Sequence, residues 1–188
     1  FFDKEYDKIY NAIKEDMETI TKRIGDETIY GVALVTDEDC ISLYLAANTS
    51  EYLRKKDLDN LSFMRQYLSE GKIQAIEEGT DSLTKWTPAE WGYSGGKNSG
   101  LVEVSKLLFE QEEQDSVGNA QNKPRFFETI TSALKRVIDE KGTDTENITF
   151  FITLSDGDGI EEIENYSAKQ LNSTEMFEKF THRFDSNY

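Results

Sequence analysis

Ile29-Tyr30-Gly31-Val32-Ala33-Leu34-Val35-Thr36-Asp37-Glu38-Asp39-Cys40-Ile41-Ser42-Leu43-Tyr44-Leu45-Ala46-Ala47 is the stretch that decides the fold. Two β-prone runs, Ile29 to Thr36 and Cys40 to Ala47, flank the short acidic link Asp37-Glu38-Asp39 and read as an antiparallel hairpin. The first run is apolar on both alternating sets, Ala33 and Val35 on one side and Tyr30, Val32 and Leu34 on the other. That pattern belongs to a central strand covered on both faces. The second run gathers Ile41, Leu43, Leu45 and Ala47 on its greasier side.

Helical spacing surrounds the hairpin. Phe2, Tyr6, Ile9, Ile13, Met17, Ile20 and Ile24 recur every three or four positions up to Gly25, the stripe of an amphipathic helix. After the hairpin, Asn48-Thr49-Ser50 offers capping oxygens to a helix over Glu51 to Lys56, and a further helix covers Leu58 to Ser69 before Gly71. Gln74 to Asp81 carries no clear pattern. Thr87-Pro88-Ala89-Glu90 has the form of a capping-box helix start, and the glycine-rich Gly92 to Gly100 reads as loop. Helical spacing resumes from Leu101 to Gln114, and Asp115 to Lys123 is a second loop. Pro124 opens a helix with Phe127, Ile130, Ala133, Leu134, Val137 and Ile138 on one stripe, stopped by Gly142. Ile148 to Leu154 alternates as a third strand with Ile148, Phe150, Ile152 and Leu154 inward. Two short helices follow, Ile160 to Gln170 and one after the capping box Asn172-Ser173-Thr174-Glu175. No repeat or linker interrupts the chain. The expected architecture is one α+β domain over residues 1–188, a small, mainly antiparallel sheet with a central hairpin, wrapped by about six helices.

Composition narrows the partners. The 188 residues carry 21 basic and 37 acidic side chains, a net charge of −16. Only Arg54-Lys55-Lys56 forms a basic cluster. Binding to nucleic acid or to an anionic membrane, which needs a basic stripe, is therefore not expected. The acidic excess is spread evenly, which serves general solubility or encounter with a basic protein partner. Cys40 has no second cysteine to bridge and reads as a small buried hydrophobe in a reducing, cytoplasmic compartment. No run is apolar enough to span a bilayer, and Phe1-Phe2-Asp3-Lys4-Glu5 lacks the regions of a signal peptide, so a soluble protein is expected.

Motifs for chemistry fall short. A phosphate loop ending at Gly96-Lys97 would need glycine where Trp91 stands and Ser or Thr where Asn98 stands. Gly157-Asp158-Gly159 follows a strand and opens a helix, as a dinucleotide fingerprint does. Its third glycine is Glu162, however, and Asp156, Asp158, Glu161, Glu162 and Glu164 would repel a pyrophosphate. The same stretch is not a calcium loop, since Ile160 takes a ligand position and Glu161 replaces the central glycine. His182 is the only histidine, so no His-rich zinc site or second imidazole is available. Spacing leaves a Cys40/His182 dyad open, although a histidine near a helix C-terminus is already favourable to the dipole. No catalytic residue, metal ligand or cofactor is assigned.

Lys85-Trp86-Thr87-Pro88-Ala89-Glu90-Trp91-Gly92-Tyr93 holds both tryptophans. Two readings apply. Trp86 and Trp91 floor a partner or ligand groove, with Glu90 and Tyr93 as polar contacts, or the tryptophans pack the loop onto the sheet while Glu90 caps its helix. The Asp37-Glu38-Asp39 tip divides in the same way, between a solvated turn and contact with a basic partner.

On these residues the chain resembles a family of small, mainly bacterial proteins described as a domain of unknown function. The likeness lies in Ile29 to Asp39, in Ala47-Asn48-Thr49, in Trp86-Thr87-Pro88-Ala89-Glu90-Trp91 and in Leu154-Ser155-Asp156. The resemblance implies no activity, cofactor or catalytic residue. By analogy, similar small acidic bacterial proteins act as immunity partners that neutralise toxins. The expectation is a non-catalytic protein-interaction module with a basic partner. The rival is an enzyme or small-ligand binder using Trp86 to Tyr93 and nearby carboxylates.

Overall fold

The computed structural model describes residues 1–112, 117 and 121–185. In chain order the elements are α1 (Phe2–Ile24), β1 (Ile29–Thr36), β2 (Leu43–Thr49), α2 (Ser50–Met64), α3 (Glu70–Glu78), β3 (Tyr93–Ser94), α4 (Gly100–Glu112), α5 (Lys123–Lys141), β4 (Thr149–Leu154), α6 (Ile160–Leu171) and α7 (Thr174–Thr181), with short 3-10 turns between them. The fold is α+β. Sheet order is β3-β2-β1-β4.

β1 sits in the interior of the sheet, as its two-sided apolar pattern requires. It pairs antiparallel with β2, Leu34 opposite Leu45, and parallel with β4, Leu34 opposite Ile152. On one face Val32, Leu34, Leu45, Phe150 and Ile152 pack against the apolar stripes of α1, α4 and α5. On the other, Ala33, Val35, Ala46 and Phe151 are covered by Trp91, Trp86 and Phe180 of α7. α6 flanks β4, where Asn172 exchanges hydrogen bonds with the backbone of Phe150 and Ser167 receives the Ile152 N–H.

Several expectations need correction. Two of the three strand pairings are antiparallel, as expected, but β4 joins β1 in parallel and makes the sheet mixed. Its Phe150-Phe151 pair, apolar on both faces, is the sequence mark of such a strand. The second hairpin strand starts at Leu43 instead of Cys40. Asp37 accepts the Ile41 N–H through its side chain and the Cys40 N–H through its carbonyl, and Cys40 takes a φ of 59°, so the turn consumes those residues. There are seven α-helices among the described residues. The helices expected over 51–56 and 58–69 are one helix, α2, and Gly71 lies inside the first turn of α3, which runs on to Glu78 through the stretch without a clear pattern. Two residues of the glycine-rich loop, Tyr93 and Ser94, form the edge strand β3. On α5, Phe126 is fully buried and Phe127 only partly. Ser173 is the residue that caps α7, accepting the Met176 N–H. The ends of the expected helix and loop at 113–116 and 118–120 lie outside the described residues.

Phe151 is fully buried, with Trp86, Trp91 and Phe180 against its ring. Replacing it by Ala removes the contact that joins the Trp86 to Trp91 segment and α7 to the sheet. Urea unfolding of Phe151→Ala should show about 3–5 kcal/mol lost stability.

Candidate functional site

The Trp86 to Tyr93 segment is tied down from both sides. Pro88–Glu90 makes one 3-10 turn only, Thr87 caps nothing with its side chain, and Trp91 leaves in extended conformation. Trp91, 8% exposed, lies directly on Gly31, where a Cβ would stand 3.0 Å from its ring. Only glycine lets the indole approach so closely. Its indole N–H donates to the Lys85 carbonyl at 3.0 Å, and the Tyr30 hydroxyl donates to that same carbonyl at 2.8 Å. Asn48, buried on β2, completes the clamp: its amide N–H donates to the Tyr30 oxygen at 3.0 Å and its carbonyl accepts the Gly92 N–H at 3.2 Å. A register shift between Ile29 and Gly31 gives β1 one extra residue, Tyr30, as a bulge does. Burial pushes the Tyr30 hydroxyl well above its ordinary pKa, so it stays a donor.

The expected site residues therefore part company. Trp91 is packed on the sheet. Glu90, 44% exposed along its side chain, neither caps a helix nor joins the other residues; it pairs with Lys56 at 2.8 Å. Tyr93 stands on the edge strand and donates to Glu27 at 2.9 Å, a bond that raises its pKa. Of the two tryptophans, Trp86 is the one that opens outward. It is half-buried in the wall of a cleft of about 590 Å³ between α2, the loop after α3 and the end of α7. Tyr30, Lys85, Asp57 and Arg183 share that wall. Asp57 is buried and accepts the Leu83 N–H and the Thr84 hydroxyl.

Asp37, Glu38 and Asp39 lie at the other end of β1, about 15–20 Å along the strand from Gly31. Parallel pairing sets the C-terminal end of β4 beside them: the Ser155 N–H donates to the Thr36 carbonyl at 2.7 Å, and a Cβ on Gly157 would stand 3.0 Å from the Glu38 carboxyl carbon. Asp156, Asp158, Glu161 and Glu162, far away in sequence, thus join Asp37, Glu38 and Asp39 at one end of the molecule. Asp37 is half-buried in its turn and the other six are exposed. Among the described residues none of these acids makes an ion pair; Lys123 donates to the backbone carbonyl of Glu38. Nor is any group of three His, Cys, Asp or Glu side chains placed to hold a metal ion among the described residues. Beside this end runs an apolar groove of about 480 Å³ lined by Ile41, Val102 and the half-exposed Phe109, with Asp37 and Glu110 on its edge.

Cys40 and His182 are not brought together. Cys40 is wholly buried in the turn after β1, and burial pushes its thiol up to about 12, which leaves it inert at neutral pH. His182, at the end of α7, contacts Asp185 at 2.7 Å and lines the cleft beside Tyr30, at the opposite end of β1.

Sequence reasoning missed Tyr30, Asn48, Asp57 and Arg183. Asn48 carried a usable signal, an amide in an otherwise apolar strand, whereas the others join the cleft only through the fold.

The model of the family described as "Domain of unknown function (DUF4303)" matches residues 9–173. The chain belongs to this family. No curated protein and no solved structure matches the chain. The matched DUF4303 region contains the whole Asn48–Tyr30–Lys85 clamp and both groups of acids. No helix of the described residues is long and apolar enough to cross a membrane.

Asn48→Ala would leave the Gly92 N–H without its acceptor and the Tyr30 oxygen without its donor. A loss of about 1–3 kcal/mol is expected in urea unfolding, with a red-shifted tryptophan emission as the loop loosens over Trp91.

Proposed function

We propose that this protein is a non-catalytic interaction module of the bacterial cytosol that holds a basic partner protein on its acidic end. One observation carries the reading: Asp37, Glu38, Asp39, Asp156, Asp158, Glu161 and Glu162 are gathered at one end and form no ion pair among the described residues, Lys123 reaching only the backbone carbonyl of Glu38. Like charges so placed repel one another and cost stability, a cost that a basic partner would offset. Their summed field would also speed encounter with that partner. The groove at Ile41, Val102 and Phe109 gives the same surface an apolar anchor point, the arrangement in which a few buried contacts supply most of the affinity while the charged rim steers. An immunity-type role, neutralising a basic toxin such as a nuclease, is one version of this reading. The small-ligand alternative has one observation in its favour, the opening of Trp86 onto the cleft.

Affinity capture from the native host tests the interaction, with the wild-type chain and the triple variant Glu38→Lys, Asp39→Lys, Asp158→Lys side by side at low and high salt. A specific basic protein should be held by the wild type at low salt, released at high salt, and lost by the variant under both conditions. Recovery of the same proteins by both chains, or of no specific protein by either, would contradict the reading.

A further inference from the structure

The cleft inverts the charge of the chain around it. Against an overall 21 basic and 37 acidic residues, its wall contains Arg54, Lys85, Lys179 and Arg183, the last paired with Glu164, against Asp57 and Asp81 of the opposite sign. Both acids are engaged elsewhere: Asp57 accepts from Leu83 and Thr84, and Asp81 pairs with Lys72. Among the basic groups, Arg54 donates to the carbonyls of Ile76 and Glu77 at the end of α3, and Lys179 forms an exposed pair with Glu175, weak enough in water to exchange.

One cation of the wall remains open to a ligand. The Lys85 ammonium lies 5.2 Å from the centre of the Trp86 ring and 5.8 Å from that of Tyr30, and makes no ion pair among the described residues. The Arg183 side chain is fully buried and its terminal nitrogens bind Glu164, Asn165 and the Phe180 carbonyl, so its charge is already paired. Trp86 supplies an apolar wall beside Lys85, and a volume of about 590 Å³ suits a small organic molecule.

From this we infer that the cleft is a binding site for a small organic anion, a carboxylate or phosphate borne on a planar ring. Its charged end meets Lys85, and its ring lies against Trp86. This site is separate from the acidic end and stands or falls without it.

The test follows the two tryptophan indole N–H resonances and the backbone amides of the full chain by NMR. The probes are adenosine monophosphate and benzoate, with inorganic phosphate and acetate as their counterparts without a ring. At least one ring-bearing anion should bind saturably, shift the Trp86 indole more than the Trp91 indole, and bind more tightly than its counterpart. Saturation by adenosine monophosphate alone would assign a phosphate ligand, and by benzoate alone a carboxylate. Lys85→Ala, whose backbone carbonyl still serves the clamp, should weaken the binding about tenfold, the loss of one charge-assisted contact, while its spectrum elsewhere matches the wild type. Three results would overturn the inference: no saturable binding by either ring-bearing probe, equal binding by the counterpart without a ring, or unchanged affinity in Lys85→Ala.

Discussion

The parallel pairing of β1 with β4 is the constraint on which the rest of the molecule depends. An antiparallel hairpin alone would place the Asp37 to Asp39 turn at a sheet corner with nothing beside it. Because β4 runs in the same direction, with Thr36 level with Leu154, the loop leaving β4 is delivered to that turn. The acids of that loop and of the first turn of α6 then add to those of the hairpin. Acidic residues near a helix N-terminus are favoured by its dipole, which accounts for Glu161 and Glu162 locally. It does not account for the second acidic group that the close approach of Glu38 to Gly157 brings to the same end.

The same strand governs the opposite end through a different device. An extra residue in β1 turns Tyr30 so that its hydroxyl meets the Lys85 carbonyl, where the Trp91 indole also binds, and Asn48 holds the far side of the loop at Gly92. A loop fixed at both ends by buried hydrogen bonds leaves its middle little freedom, and that is why Trp86 stands half-open beside Lys85 in place of folding fully onto the sheet. Gly92 is needed there because a Cβ would come within 2.6 Å of the Tyr52 ring. The two ends of β1 thus differ in character: one gathers acids that form no ion pair among the described residues, and the other a cleft that presents Lys85 beside Trp86.

What was legible in the sequence follows the physics of periodicity. The hairpin, the apolar stripes of α1 and α5 and the late strand could be read because burial repeats with the period of each element. Boundaries set by a single polar contact were not legible. The Asp37 turn shortened β2, and a glycine in the first turn of α3 read as a stop although backbone N–H groups there need no intrahelical partner. Thr87-Pro88-Ala89-Glu90 has the residues of a capping box, yet the chain extends again at Trp91, whose packing on Gly31 outweighs a longer helix. The candidate sites were legible only in part. Trp86 and the Asp37 to Asp39 tip were visible, but the cleft draws on positions 30, 57, 85 and 183, and the acidic end on a parallel pairing that no local pattern specifies.

The claim that two distant acidic segments share one end of the molecule can be measured directly with a spin label on Asp158→Cys, since Cys40 is buried and unreactive. Parallel pairing predicts that the label broadens the amide resonances of Glu38 and Asp39 far more than those of Tyr30 and Gly31. Broadening strongest at Tyr30 and Gly31, or equal at both ends of β1, would contradict it.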